Sequence, residues 1–243
     1  MAGALTGVVA LDGPSGTGKT TVARKLATHL DAGYLDTGAM YRLIALAVLR
    51  ADAEPTDGAE VYRVARAAEF EVGTSPAHPY ARLAGVDVAT EIRGAAVTTA
   101  VSPVSAVPEV RELLVAEQRR LIARVLESGS GIVVEGRDIG TVVVPDAALK
   151  IFLTASAEIR ASRRSAQDTA AGRDSTRDSA RASVDRRDRL DSTRMVSPLR
   201  AADDAVVVDT SELTIDQVIV ALGELASRRG LLSVPGVAAE RAP

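Results

Sequence analysis

The sequence predicts an α/β protein in which a central parallel sheet is flanked by helices and carries a small β-rich insert and a short lid. Three observations predict it. Residues 8–11, 131–135, 149–153 and 205–209 are short apolar or β-branched runs with the length of buried strands. Helical periodicities lie between them, and strands alternating with helices argue for a parallel sheet covered on both faces. The first run leads directly into Gly13, Pro14, Ser15, Gly16, Thr17, Gly18, Lys19 and Thr20, which match the phosphate-cradling pattern GxxxxGKT in full.

After that turn, Val22, Ala23, Leu26 and Leu30 recur at helical spacing. A strand, a glycine-rich turn and a helix N-terminus together point backbone N–H groups at an anion. In that arrangement Lys19 reaches the β- and γ-phosphates of a nucleoside triphosphate, and the Thr20 hydroxyl ligates Mg2+. The alternative is a glycine-rich surface loop, but one of only three lysines in the chain falls in register with the pattern.

A short extended piece at 34–36 then joins a helix reaching residue 50, with Met40, Leu43, Ile44, Ala47 and Val48 on its inner face. Asp36 or Thr37 suits its N-cap, and on local sequence capping is as good an account of both as substrate contact. A break at 55–58 precedes a helix over 59–68. Between 70 and 92, Gly73, Pro76, Pro79 and Gly85 punctuate segments too short for a core sheet, so this stretch reads as a small antiparallel insert. Residues 92–97 and 101–107 are helical fragments or loop, and Pro108 suits the first turn of a long helix to 127. Residues 165–183 are nearly free of large apolar side chains and rich in Ala, Ser, Arg and Asp, which fits a mobile lid over about 160–185. Thr214 and Gln217 form a capping-box pair for a last helix to 228. The core is thus 1–69 with 93–229, the insert 70–92, and the remainder from 230 to 243 a frayed tail.

Composition removes several function classes. A net charge of -3 supplies no general attraction for nucleic acid, and 2% aromatics leave no stacking platform for single strands. Without cysteine there are no disulfides, thiolate metal sites or thiol nucleophiles. Neither a secretory leader nor an apolar run of spanning length is present, so a cytoplasmic, monomeric protein without membrane contacts is expected.

The arginines indicate what receives the phosphate. Arg137 follows a buried strand, at the carboxyl edge where open α/β sheets bind ligands. Arg160, Arg163 and Arg164 share one helix face, and Arg187 and Arg194 flank Asp191 on another predicted helix. Guanidinium groups in such places spread over the oxygens of a transferring phosphoryl group, whereas Arg173, Arg177 and Arg181 read as a solvated face. Glu135 ends a strand, where it orients a metal-bound water or pairs with a neighbouring cation. No NKxD pattern follows the cradle, which disfavours a switch GTPase.

Several blocks together resemble the bacterial cytidylate kinases. They are the cradle from Asp12, then Leu35-Asp-Thr-Gly-Ala-Met-Tyr-Arg42, Glu91-Ile-Arg93, Ser102, and Val110-Arg-Glu112. They continue through the specific run Gly136-Arg-Asp-Ile-Gly-Thr-Val-Val-Val-Pro-Asp146, then Lys150-Ile-Phe-Leu153 and Arg187-Asp-Arg-Leu-Asp-Ser-Thr-Arg194. The resemblance implies a P-loop kinase fold that uses ATP and Mg2+ to phosphorylate CMP and dCMP. It assigns ATP to residues 13–20 with Thr21, Arg160 and Arg164. Ser102, Arg111 and Asp138 would read cytosine, Arg42, Arg137 and Arg194 would hold its phosphate, and Arg187 and Asp191 would face the pentose. Asp36 and Thr37 fall beside the acceptor, and Lys19, Arg137 and Arg194 carry the transfer. The other readings are a P-loop kinase for UMP, AMP or a metabolite, and a nucleotide-binding regulatory module without transferase activity.

Overall fold

A computed structural model describes residues 3–174 and 176–233 of the chain. The first half runs β1 (Val8–Asp12), α1 (Lys19–His29), β2 (Gly33–Asp36), α2 (Thr37–Arg50) and α3 (Gly58–Ala67). Next come β3 (Phe70–Val72), β4 (Ala81–Leu83), β5 (Val86–Asp87), α4 (Ala95–Val104) and α5 (Pro108–Glu127). The second half is β6 (Ile132–Glu135), β7 (Leu149–Thr154), α6 (Ala157–Ala170), α7 (Arg177–Ser192), β8 (Val206–Asp209) and α8 (Ile215–Arg228).

Five strands form a parallel sheet in the order β2-β6-β1-β7-β8. Its inner strands β1, β6 and β7 read as largely apolar runs because both faces are covered, while the edge strand β8 leaves Val207 exposed. Val9 and Leu11 of β1 join Val22 and Leu26 of α1 and Leu222 of α8 in one cluster, while Val8 and Ala10 join α2, α4 and α5 in the other. The fifth strand, β2, is the extended piece before α2. It pairs with β6 from Gly33–Ile132 to Asp36–Glu135, which brings the ends of both strands to the cradle's edge.

Local chemistry fixes the ends of the helices. The Asp36 side chain accepts from the Ala39 N–H at 2.9 Å and caps α2, Pro108 opens α5, and Thr214 with Gln217 completes the capping box of α8. At Gly13 φ is 148°, and a Cβ there would stand 2.2 Å from the Leu153 carbonyl oxygen, so only glycine lets the turn leave β1 this close to β7. The three-stranded antiparallel sheet β3-β4-β5 packs beside α2.

The stretch expected as a lid is a hairpin of α6 and α7, with a Thr176–Ser179 capping box opening α7; residue 175 lies outside the described residues. One expectation needs correction. The tail does not fray at 230. Thr6 N–H donates to the Leu231 carbonyl at 2.7 Å, Ser233 N–H donates to that of Ala4 at 2.8 Å, and Leu5 bridges Leu232. Leu231 is buried against the α1–α8 face, an apolar anchor outweighed in the sequence by the glycine and prolines around it. Residues 234–243 of the expected tail lie outside the described residues.

Candidate active site

The carboxyl ends of β1, β6 and β7 open into two joined cavities. A cleft of about 470 Å³ is lined by residues 15–21 of the cradle, by Arg163, Arg164 and Gln167 of α6, and by Thr210, Leu213 and Ile215. Beside it lies a pocket of about 70 Å³, lined by Thr37, Tyr41, Ser102, Arg111, Asp138 and Asp191 among others. Arg42, Arg137 and Arg187 line both, so guanidinium groups from three elements stand where the cavities meet.

The cradle is held from below and from the side. Lys19 Nζ donates to the Pro14 carbonyl at 2.6 Å and the Thr17 hydroxyl donates to the same oxygen at 3.1 Å. Burial, and next the nearby charge of Arg137, push the Lys19 pKa down, with Glu135 opposing them. Asp188 of α7 accepts from the Ser15 N–H at 2.9 Å and from Arg160, whose guanidinium also donates to the Ser15 carbonyl at 3.2 Å. At Gly16, with φ 80°, a Cβ would come within 2.9 Å of the Arg160 carbonyl oxygen, so α6 sits directly on the loop. Removing the staple with Asp188→Ala should raise the KM for the triphosphate about tenfold, within the range for one charged hydrogen-bond partner, while the acceptor KM moves less than twofold. Initial rates at saturating acceptor check this.

The loop after β6 is anchored by a buried carboxylate. Asp12 accepts from the Ile139 N–H at 2.9 Å and from the Gly140 N–H at 2.8 Å, which holds the π-helical turn Ile139–Val143 against β1. Burial lifts the Asp12 pKa to about 6 even though both N–H groups favour the carboxylate. The folded state therefore keeps this proton to higher pH than the unfolded chain, and native stability declines as pH rises from about 4 to 6. Relative to Asp12→Asn, which cannot titrate, the wild type should lose about 3 kcal/mol across that window. Thermal melts of both proteins at several pH values give the difference.

At the floor of the smaller pocket Arg111 is 2% exposed. It donates to Asp138 Oδ2 at 2.5 Å and to the Ser105 carbonyl at 3.1 Å, with its guanidinium 5.2 Å from the Tyr41 ring centre. Asp191 accepts from Arg137 at 3.0 Å. Burial would raise the Asp191 pKa, but Arg137, Arg194 and Arg187 outweigh burial and hold it below the usual range. Burial, then Arg187 and Arg93, push the Arg42 pKa down to about 9, and burial, then Arg137, push that of Arg187 down to about 10. Arginine keeps its proton in proteins, so these directions express the cost of burial first and the crowding of like charge second. The junction is short of negative charge. Four buried guanidinium nitrogens also lack acceptors among the described residues: Arg111 Nε, Arg160 Nε, Arg187 Nε and Arg194 Nη2. Buried donors are normally paired, so the three orphans that line the smaller pocket, on Arg111, Arg187 and Arg194, indicate acceptors brought by a ligand.

The cytidylate kinase family model matches residues 9–228. A cytidylate kinase of Rhodococcus jostii (strain RHA1) is 59% identical over 91% of this chain and 95% of its own length. One of Nocardia farcinica (strain IFM 10152) is 57% identical over 91% and 94%. The chain belongs to the cytidylate kinase family. Family membership makes it an enzyme, a phosphate-transferring nucleoside monophosphate kinase with the P-loop kinase fold. The crystal structure of an uncharacterized protein from Eubacterium ventriosum ATCC 27560 has a TM-score of 0.53 at 12% identity, covering 92% of this chain and 99% of that one, and bears on the fold alone.

In this cytidylate kinase family member most residues singled out from the sequence meet at the two cavities, with exceptions. Gly13 and Pro14 lie behind the cleft wall, and Arg160 touches the cradle without lining the cleft. Asp36 faces the cleft, not the smaller pocket, and pairs with Arg93 at 3.1 Å. The Thr37 hydroxyl is committed to the Glu135 carbonyl at 2.7 Å. Arg42 donates to the Ile92 carbonyl at 2.9 Å and to Thr98 at 3.0 Å, tying α2 to α4. Arg194 is not on the helix of Arg187: α7 ends at Ser192, and Arg194 reaches the pocket from the bend beyond. Among the described residues Glu135 makes its side-chain hydrogen bonds to the hydroxyls of Thr20 and Tyr34, while the charge of Lys19 acts on it from nearby. Thr210, which lies just past β8 and accepts from Arg163 at 3.0 Å, was missed as a cleft residue; its place at the carboxyl end of an apolar strand run was the available signal.

Proposed function

We propose that the chain transfers the γ-phosphoryl group of ATP to the 5′-phosphate of CMP or dCMP, giving the diphosphates. The observation that carries this reading is the junction of the two cavities, where Arg42, Arg137 and Arg187 serve both at once. A triphosphate cradled by residues 15–21 presents its end there, and a monophosphate in the smaller pocket presents its own. The triphosphate's base and ribose then lie along Arg163, Thr210, Leu213 and Ile215.

An acceptor phosphate has a second pKa near ~6, so at neutral pH it is already largely dianionic and needs no general base. The protein's task is to align two anions and offset their repulsion, which Lys19 and the arginines do. In the pocket Asp138 accepts from the exocyclic amine of cytosine while Arg111 donates to its acceptor edge, with Ser102 alongside. Arg42, Arg137 and Arg194 take the acceptor phosphate, with the unpaired Nη2 of Arg194 among the donors offered to its oxygens, and Arg187 and Asp191 meet the pentose. Mg2+ fits the donor side, because the Thr20 hydroxyl gives its proton to Glu135 and keeps its lone pairs for a hard cation. When bound, the ion neutralises charge on the β- and γ-phosphates. The hairpin of α6 and α7 covers the donor cleft and excludes water, which otherwise competes as acceptor. The 70–92 insert and the 160–185 lid act as separate moving parts on the core. The protein works as a cytoplasmic monomer.

Initial rates with CMP, dCMP, UMP and AMP, coupled to ADP formation, test the assignment. CMP and dCMP should lead; UMP or AMP faster than CMP by tenfold would replace it with a kinase of different base selectivity. Binding of ATP with no diphosphate formed from any monophosphate would leave a nucleotide-binding module.

A further inference from the structure

At the cleft wall, which both Thr20 and Glu135 line, the Thr20 hydroxyl is held by two buried groups in series. Glu135 ends β6 only 3% exposed and divides its carboxylate between two hydroxyl donors. Oε2 accepts from Thr20 Oγ1 at 3.0 Å, and Oε1 accepts from the Tyr34 hydroxyl at 2.6 Å. Tyr34 is 2% exposed on β2, the neighbouring strand, and sits in register with Val133 of β6. Its backbone N–H donates to the Thr74 carbonyl at 2.8 Å, so the β-rich insert grips the same residue. Thr20, Tyr34 and Arg93 also line a separate side cavity of about 220 Å³, walled by Val72, Gly73 and Tyr80 of the insert region.

The chemistry gives this chain of contacts a direction. A threonine hydroxyl has one proton and two lone pairs; once the proton goes to Glu135, both lone pairs are free for a cation in the cleft. A carboxylate this near a metal site competes for the ion when it can turn. With Oε1 bonded to Tyr34 and Oε2 to Thr20, Glu135 is pinned at both oxygens and stays a hydrogen-bond acceptor.

We propose that Tyr34 is a positioning residue for the Mg2+-binding hydroxyl: it fixes Glu135, Glu135 orients Thr20, and the insert gripping Tyr34 sets the strength of the donor-side metal site. The role rests on the donor site described under the proposed function. It separates Tyr34 from the residues that touch either nucleotide.

Tyr34→Phe keeps the buried ring and removes only the hydroxyl. Calorimetric titration with ATP, with and without Mg2+, reads the effect, and Mn2+ bound to the protein–ATP complex gives a second signal by electron paramagnetic resonance. The Mg2+ concentration that half-maximally tightens ATP binding should rise about three- to tenfold, the range for one net hydrogen bond. ATP affinity without Mg2+ should change less than twofold, which a general loosening of the fold would not allow. Glu135→Gln must turn its amide N–H2 toward one of two hydroxyl donors, and it should shift the Mg2+ dependence in the same direction. On a Thr20→Ala background, Tyr34→Phe should add nothing, because the group it positions is gone. An unchanged Mg2+ dependence in Tyr34→Phe, or an equal shift on the Thr20→Ala background, would overturn the proposal. Wild-type protein whose ATP binding ignores Mg2+ would instead overturn the donor-site reading beneath it.

Discussion

Lys19→Ala should lower turnover by about 10³-fold or more while leaving the protein folded. Loss of a single uncharged donor to a developing anion costs about 10² to 10³ in turnover, and Lys19 brings a full charge into a site closed off from water. Its folded-state contribution runs the other way. The ammonium is buried, its pKa is depressed by burial and by Arg137, and the charges of Glu135 and Asp12 with a hydrogen bond to the Pro14 carbonyl compensate only in part. Removing it relieves that penalty, so the melting temperature should hold or rise. Single-turnover rates at saturating ATP and CMP, with melts of both proteins, check the two halves. Unchanged turnover would take Lys19 out of the mechanism.

Asp138→Asn should cut the preference for CMP over UMP in kcat/KM by about tenfold to a hundredfold, the worth of ~1 to 3 kcal/mol when a buried polar group meets the wrong partner. Asp138 is 4% exposed, and Arg111 takes only Oδ2. An amide in its place turns N–H groups toward the cytosine amine, donor against donor, and toward the uracil carbonyl as a match. The variant also leaves Arg111 without its charged partner, which costs both substrates, so the ratio isolates base reading from general damage. A ratio unchanged from wild type would remove Asp138 as the reader.

The parallel sheet was legible because strands buried on both faces must be apolar throughout, which the runs at 8–11, 131–135 and 149–153 satisfy in the structure, while the apolar run at 205–209 forms the edge strand β8 with Val207 exposed. β2 was harder to see. Only Tyr34 and Leu35 are apolar in its four residues, too short a stretch to carry a period. The cradle is a contiguous pattern and could be read directly, whereas the smaller pocket joins α2, α4, α5, α7 and the loop after β6. Arg111 and Asp138 are 27 residues apart, and Ser15 and Asp188 are 173 apart. No local spacing announces such pairs; the first could be assigned only through family resemblance, and the second was not found. Arg194 shows the same limit, since its neighbours in sequence suggested a helix that ends two residues earlier.

The arginines shared by the two cavities also make the substrates energetically interdependent. Arg187 stands against both Arg42 and Arg137, and the carboxylates of Asp36, Asp188 and Asp191 offset only part of that like charge. The first nucleotide to arrive lowers that self-energy and sets the field its partner meets. By linkage, the factor by which ATP alters CMP affinity must equal the factor by which CMP alters ATP affinity. A shared cluster of cations therefore cannot be apportioned between donor and acceptor: a change at Arg187 will appear in both binding isotherms and in the coupling between them.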